Sequence, residues 1–137
     1  MITNYVTFTN PAPDSTNTIS LIDTGAARLV FTSTNNGFPV SRGGVEQTNA
    51  VTTVALCNTG TPNLSDETVN SVTVDIYVVK KGKTPVAGNK VVSSLIVPAG
   101  ETVFFSEERM VLDGGDMIYV QASASSLLAV SVSTLPV

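Results

Sequence analysis

A chain of 137 residues that is 42% apolar and only 13% charged can bury one core and is too apolar for a disordered segment. Its formal net charge of -4 has the wrong sign for a nucleic-acid or anionic-membrane surface, so neither partner is expected. It has no histidine and a single cysteine, which removes the commonest general base and metal ligand together with any internal disulfide.

The first element is residues 2–9, where Val6 and Phe8 alternate with Tyr5, Thr7 and Thr9 as in a strand. Pro11 and Pro13 end it, because proline cannot donate to a ladder. Two arrangements fit. Residues 1–13 form an N-terminal arm that adds a strand to a neighbouring copy, or the run is the first strand of its own sheet. The opening residues lack the charged and apolar regions of a signal peptide, and the single thiol fits folding in a reducing cytoplasm. No apolar run approaches the ~20 residues of a membrane helix.

Residues 19–22 and 28–32 read as short strands, with Asp23-Thr24-Gly25 as a turn between them. Residues 33–49 are the least regular, with Asn36-Gly37, Pro39 and Gly43-Gly44 and little to bury except Phe38 and Val40. Residues 51–57 form a strand with Val54 and Leu56 on one face and the small Ala55 and Cys57 on the other, as in a central strand covered on both sides. Residues 69–79 give the longest alternation: Val72, Val74, Ile76 and Val78 oppose Ser71, Thr73, Asp75 and Tyr77. Lys80, Lys81 and Lys83 then make a charged hairpin end.

The last third follows as residues 91–97, 101–105, 110–112, 117–122 and 128–134, linked by turns. Pro98 and Gly100 fit the second and fourth positions of a type I turn, and Asp113-Gly114-Gly115-Asp116 supplies positive φ angles for a hairpin. Ile118, Val120 and Ala122 share a face, as do Leu128, Val130 and Val132. About eight or nine strands with no helical period indicate an all-β chain. The expected fold is a single antiparallel β-sandwich, Ig-like or jelly-roll-like, over residues 1–137 and ending in a β-meander. Its expected core is Val54, Leu56, Val72, Val74, Ile76, Val78, Ile118, Val120, Leu128, Val130 and Val132.

The strings Thr-Val-Ala-Leu-Cys-Asn-Thr-Gly (53–60), Val-Thr-Val-Asp-Ile-Tyr-Val-Val (72–79), Leu-Ile-Val-Pro-Ala-Gly-Glu-Thr (95–102) and Met-Val-Leu-Asp-Gly-Gly-Asp-Met-Ile-Tyr-Val-Gln-Ala-Ser (110–123) resemble small β-sandwich virion proteins of tailed bacteriophages. The resemblance spans roughly the C-terminal two thirds and is one of strand-and-turn grammar. It implies a capsid decoration or cement protein, or another head, neck or tail component. Such a protein is made in the bacterial cytoplasm and resides in the virion. The resemblance carries over no catalytic residue, cofactor or metal. It implies copies of the chain itself and other virion proteins as partners, with a homo-oligomer as the expected state.

The residues offer little chemistry of their own. Asp113 and Asp116 flank two glycines as at the start of a calcium loop, but a hairpin turn already accounts for the spacing. Glu107 and Glu108 are adjacent, so on a strand they diverge and read as a solvated turn rather than an acid–base pair. Cys57 has no histidine to activate it and reads as a small buried apolar residue. Asn63-Leu64-Ser65 matches a glycosylation triplet without a secretory signal. The candidate interface is Tyr5, Val6, Phe8, Tyr77 and Tyr119, the tyrosines lying opposite the main apolar stripes. A carbohydrate- or host-surface-binding module is the alternative to a packing role, weakened by the lack of tryptophan.

Overall fold

The computed structural model describes residues 2–9 and 19–20 as backbone, and residues 27–105, 110–123 and 128–137 with their side chains. The chain is an all-β sandwich. Its strands are β1 (Ile2–Thr9), β2 (Ile19–Ser20), β3 (Arg28–Thr32), β4 (Asn49–Asn58), β5 (Val72–Val79), β6 (Lys90–Val97), β7 (Thr102–Phe105), β8 (Met110–Leu112), β9 (Met117–Ala122) and β10 (Leu128–Pro136). Short 3-10 turns stand at Val40–Arg42 and Ala87–Asn89. Among the described residues no helix is long and apolar enough to cross a membrane.

The six-stranded sheet runs β2-β1-β10-β4-β7, with β8 also beside β4; the four-stranded sheet runs β3-β9-β5-β6. β7 pairs with residues 54–57 of β4 and β8 with residues 49–51, so the two occupy successive stretches of one row. All pairs are antiparallel except β1 with β2. Ile2–Thr9 pairs with β10 of its own chain, from Ile2 opposite Thr134 to Thr7 opposite Ala129. Over these residues the pairing is that of a strand in its own sheet. The β10 edge offers unpaired backbone groups within reach, and a local partner satisfies them first. The prolines that follow, the turn at Asp23-Thr24-Gly25, and Leu21 and Ile22 lie outside the described residues.

The expected closing meander is not what forms. β7 and β8 join the six-stranded sheet, β9 crosses to the four-stranded sheet, and β10 crosses back between β1 and β4. Alternation reports which face of a strand is buried, not which sheet it joins. The two turns differ in detail as well. Glu101 N–H bonds to the Pro98 carbonyl at 3.1 Å, so Pro98 opens the turn and Gly100, at φ 77°, holds its third position. Positive φ there belongs to a type II turn rather than type I. In residues 113–116 only Gly115 has positive φ, and this turn joins strands of opposite sheets instead of a hairpin.

The core forms as expected in all but one position. Val54, Leu56, Val72, Val74, Ile76, Ile118, Val120, Leu128, Val130 and Val132 are buried between the sheets. Val78 is only half-buried, beyond register shifts on both sides of Ile76. A bulge also sets β4. Ser133 faces Thr53 but Thr134 faces Val51, so Thr52 is the extra residue. It changes the parity of the strand, which lets Val51 and Val54 both point inward although they are an odd number apart.

Residues 33–49 fold back onto the turn before β9. Ser33 N–H bonds to the Asp116 carbonyl at 2.7 Å, and Gly115 N–H to the Ser33 carbonyl at 3.0 Å. The buried Asn49 amide donates to Ser33 Oγ at 3.2 Å and to the Thr34 carbonyl at 3.1 Å. An isolated bridge between Thr34 and Glu46 closes the base of the loop. Val40, expected to help fill this region, is instead exposed.

Candidate interaction surfaces

The two outer faces of the sandwich differ in chemistry. On the four-stranded sheet, the Asp75 carboxylate accepts the Ser94 N–H at 2.7 Å and lies 3.4 Å from the Lys90 ammonium. That ammonium also stands over the Tyr77 ring, 5.7 Å from its centroid. Tyr77 donates its hydroxyl to Gln121 Oε1 at 2.7 Å. Polar and charged residues are what a water-facing antiparallel sheet ordinarily carries.

The six-stranded sheet presents another surface. Outward from β4 come Ala50, Thr53, Ala55 and Cys57, and from β10 come Ala129, Ser131, Ser133 and Leu135. β7 adds Thr102 and Phe104, and β8 adds Val111. The pairing register sets Thr3, Tyr5 and Thr7 of β1 opposite Ser133, Ser131 and Ala129. No Asp, Glu, Lys or Arg is among these residues. Phe104, Val111 and Leu135 are 65%, 62% and 51% exposed. Beside Phe104 lies a shallow hollow of about 340 Å³ whose other walls are Ala55, Cys57, Thr102, Ala129 and Ser131.

The candidate interface read from sequence divides between these faces. Tyr5 and Val6 sit on β1 opposite Ser131 and Val130, and Phe8 opposite Ile19 of β2, all in the six-stranded sheet. Tyr77 and Tyr119 are register partners in the four-stranded sheet. They do not form one patch with β1. Tyr77 is only 7% exposed, a correction to its expected place on an open face, because Lys90 and Gln121 hold its ring and hydroxyl. Tyr119 is half-buried, with its hydroxyl 3.9 Å from the Met117 sulfur. Cys57, expected to be buried, is half-buried and opens onto the hollow.

Phe104 was accessible to sequence reasoning and was missed. Adjacent strand residues face opposite ways, so Phe104-Phe105 must place one ring outside. Phe105 is the inward one, packed against the core. It also lines an apolar opening of about 320 Å³ with Val51, Val54, Ile76, Val92 and Met110.

The charged groups at one end of the sandwich pair with one another. Asp116 is buried, and its carboxylate takes the Lys80 ammonium at 2.8 Å, the Lys81 N–H at 3.1 Å and the Asp113 N–H at 3.2 Å. Burial pushes this carboxyl up, but the Lys80 ammonium and the two N–H donors outweigh it and hold it below the usual carboxylate range. The same contact, with Asp113 at 3.5 Å, raises the Lys80 ammonium above its ordinary value. Lys81 pairs with Glu46 at 2.5 Å. The oxygens that a calcium ion would use at this turn thus already face an ammonium. Among the described residues no group of three or more acidic or thiol side chains converges as a metal site. Glu107 and Glu108 lie outside the described residues. Asn63 uses its side-chain oxygen to accept the Ser65 N–H at 2.8 Å, which makes the triplet a tight local turn.

No protein-family model matches the chain, and no curated protein or solved structure matches it.

Proposed function

We propose that this chain is a non-enzymatic structural protein of a tailed-phage virion, a capsid decoration or cement protein or another head, neck or tail component. It acts by packing its surface against copies of itself and neighbouring virion proteins. The observation that carries this reading is the outer face of the six-stranded sheet, whose described outward residues carry no charge and where Phe104, Val111 and Leu135 are exposed. A monomer in water gains nothing from such a face, whereas a protein–protein contact desolvates it without stripping water from ions. The strings at residues 95–102 and 110–123 supply the link to virion sandwiches. The carbohydrate-binding alternative draws on exposed tyrosines, and with Tyr77 buried that platform is reduced.

The test is particle composition. Intact particles should contain this chain in stoichiometric amount, with density in micrographs assignable to a β-sandwich of this size. Particles that lack it, together with saturable binding of the purified chain on a glycan array, would replace this reading with the carbohydrate-binding one.

A further inference from the structure

We infer that the outer face of the six-stranded sheet is a two-fold contact with a second copy of this chain, each Phe104 seated in the other's hollow. This rests on the packing reading above and names its surface and its partner. A two-fold contact uses the same patch on both copies, so it must carry a projection and a recess that fit each other. Phe104 is the projection, 65% exposed, and the hollow walled by Ala55, Cys57, Ala129 and Ser131 lies directly beside it. The small side chains of β4 and β10 are what create that recess, since Ala55 is the register partner of both Phe104 and Ser131.

Charge selects this face for a contact between copies. The whole chain carries a net charge of -4, so two copies repel through most of their surfaces. The face whose described residues carry no charge is where they approach most closely at least cost. A partner recognised by charge would call for acidic or basic groups on this face, and its described residues have none. The area is also adequate. About four strand rows at ~4.8 Å and strands of ~30 Å give a face of roughly 600 Å² in plan. Its accessible area is larger because side chains roughen it, which brings it near the ~800 Å² per partner of a stable interface.

The experiment measures the mass of the full-length chain by sedimentation over a wide concentration range, for wild type, Phe104→Glu, Ala129→Arg and Ile96→Glu. Ile96 is 63% exposed on the other sheet and serves as the control. Wild type and Ile96→Glu should form dimers with the same dissociation constant. Phe104→Glu and Ala129→Arg should each weaken association by about tenfold or more, as loss of a central anchor does. Mixed together, these two should recover a heterodimer, because the introduced carboxylate of one copy meets the introduced guanidinium of the other while the reciprocal contact stays native. Cys57 gives a reading free of mutation: its rate of alkylation in wild type should fall as concentration rises. A monomer at every concentration, dimers that survive both charged substitutions, dissociation by Ile96→Glu, or a concentration-independent Cys57 rate would each overturn the inference. The outcome is separable from particle composition. A chain that dimerises through this face yet is missing from particles refutes the virion reading alone, and a particle component that stays monomeric when purified refutes this contact alone.

Discussion

The Lys80 ammonium stands 2.8 Å from the buried carboxylate of Asp116, 36 residues further along, and ties the end of β5 to the turn that carries the chain between sheets. The turn reads as a hairpin from its glycines, but its acidic residue is a clamp. Asp116 reaches the backbone N–H groups of Lys81 and Asp113 as well as the ammonium, so one side chain holds the end of β5 to the turn.

Asp116→Asn should therefore cost roughly 1–3 kcal/mol at neutral pH, because a charge-assisted bond is lost and an amide group must face N–H donors. The pH dependence follows from the depressed carboxyl. A group whose folded value lies below its unfolded one contributes stability that is complete above the unfolded value of ~3.9. That contribution is lost as pH falls through the folded value. Melting temperatures of wild type and Asp116→Asn, followed from neutral to acid pH, should differ most at neutral pH and converge in strong acid. Parallel curves would mean that Asp116 does not titrate differently on folding.

Ile76→Ala tests the core. Ile76 is buried in the middle of β5, opposite Val120 of β9 and Val92 of β6. Truncation should cost about 2–5 kcal/mol, the range for a large aliphatic side chain whose cavity relaxes only in part. The measurement is the urea midpoint at unchanged slope. An unchanged midpoint would show that the inward face of β5 has been assigned to the wrong side.

How far the sequence carries can be judged from these residues. Two-fold alternation located the strands and nearly the whole inward stripe, because burial on one face is written directly into residue order. Ile76 is legible for that reason. Sheet membership is not, since a strand with one apolar face fits either half of a sandwich; β9 and β10 alternate alike and lie in opposite sheets. Bulges are silent too. Thr52 shifts β4 by one residue, and β6 takes up extra residues against β5 on both sides of Ile76, with nothing in their local composition to mark either. The candidate interface was legible only in part. Tyrosine content pointed to exposed rings, but the contacts that cover Tyr77 come from other strands, Lys90 from β6 and Gln121 from β9. The absence of charge among the described residues of the outer face emerges only when β4, β7, β8 and β10 are placed side by side.

Asn58 gives a prediction that alternation would not suggest. It ends β4 fully buried, and its amide donates to the carbonyls of Asn70 at 2.8 Å and Val97 at 2.9 Å. Its side-chain oxygen accepts the Gly60 N–H at 2.8 Å. One side chain thus anchors both ends of the 59–71 loop to β6. Asn58→Ala should cost roughly 2–4 kcal/mol, since each buried group left without a partner costs about 1–3 kcal/mol. Asn58→Asp should be worse despite its equal size, because a carboxylate would face two carbonyls. Thermal unfolding of the two variants checks the order, and an aspartate variant as stable as wild type would show that the amide does not donate to those carbonyls.

Deletion of residues 1–10 tests how the first strand is used. In the arm arrangement the truncated chain keeps its melting temperature and loses only association. In the observed arrangement β1 is a ladder strand, paired residue by residue with β10 from Ile2 opposite Thr134 to Thr7 opposite Ala129. β10 itself lies between β1 and β4 and contributes Leu128, Val130 and Val132 to the core. Removing β1 turns β10 into an edge, leaves its outward N–H and C=O groups to water, and takes away the residues placed opposite that core row. Net hydrogen bonding alone then predicts a loss of at least ~3 kcal/mol, at about 0.5–1.5 kcal/mol per bond. An exposed, uncharged edge strand is also prone to pair with another chain, so the truncated protein should aggregate on heating where the full chain does not. Circular dichroism melts and light scattering of both forms distinguish the outcomes. A truncated chain that melts like the full one and stays dispersed would show that residues 2–9 do not stabilise their own sheet.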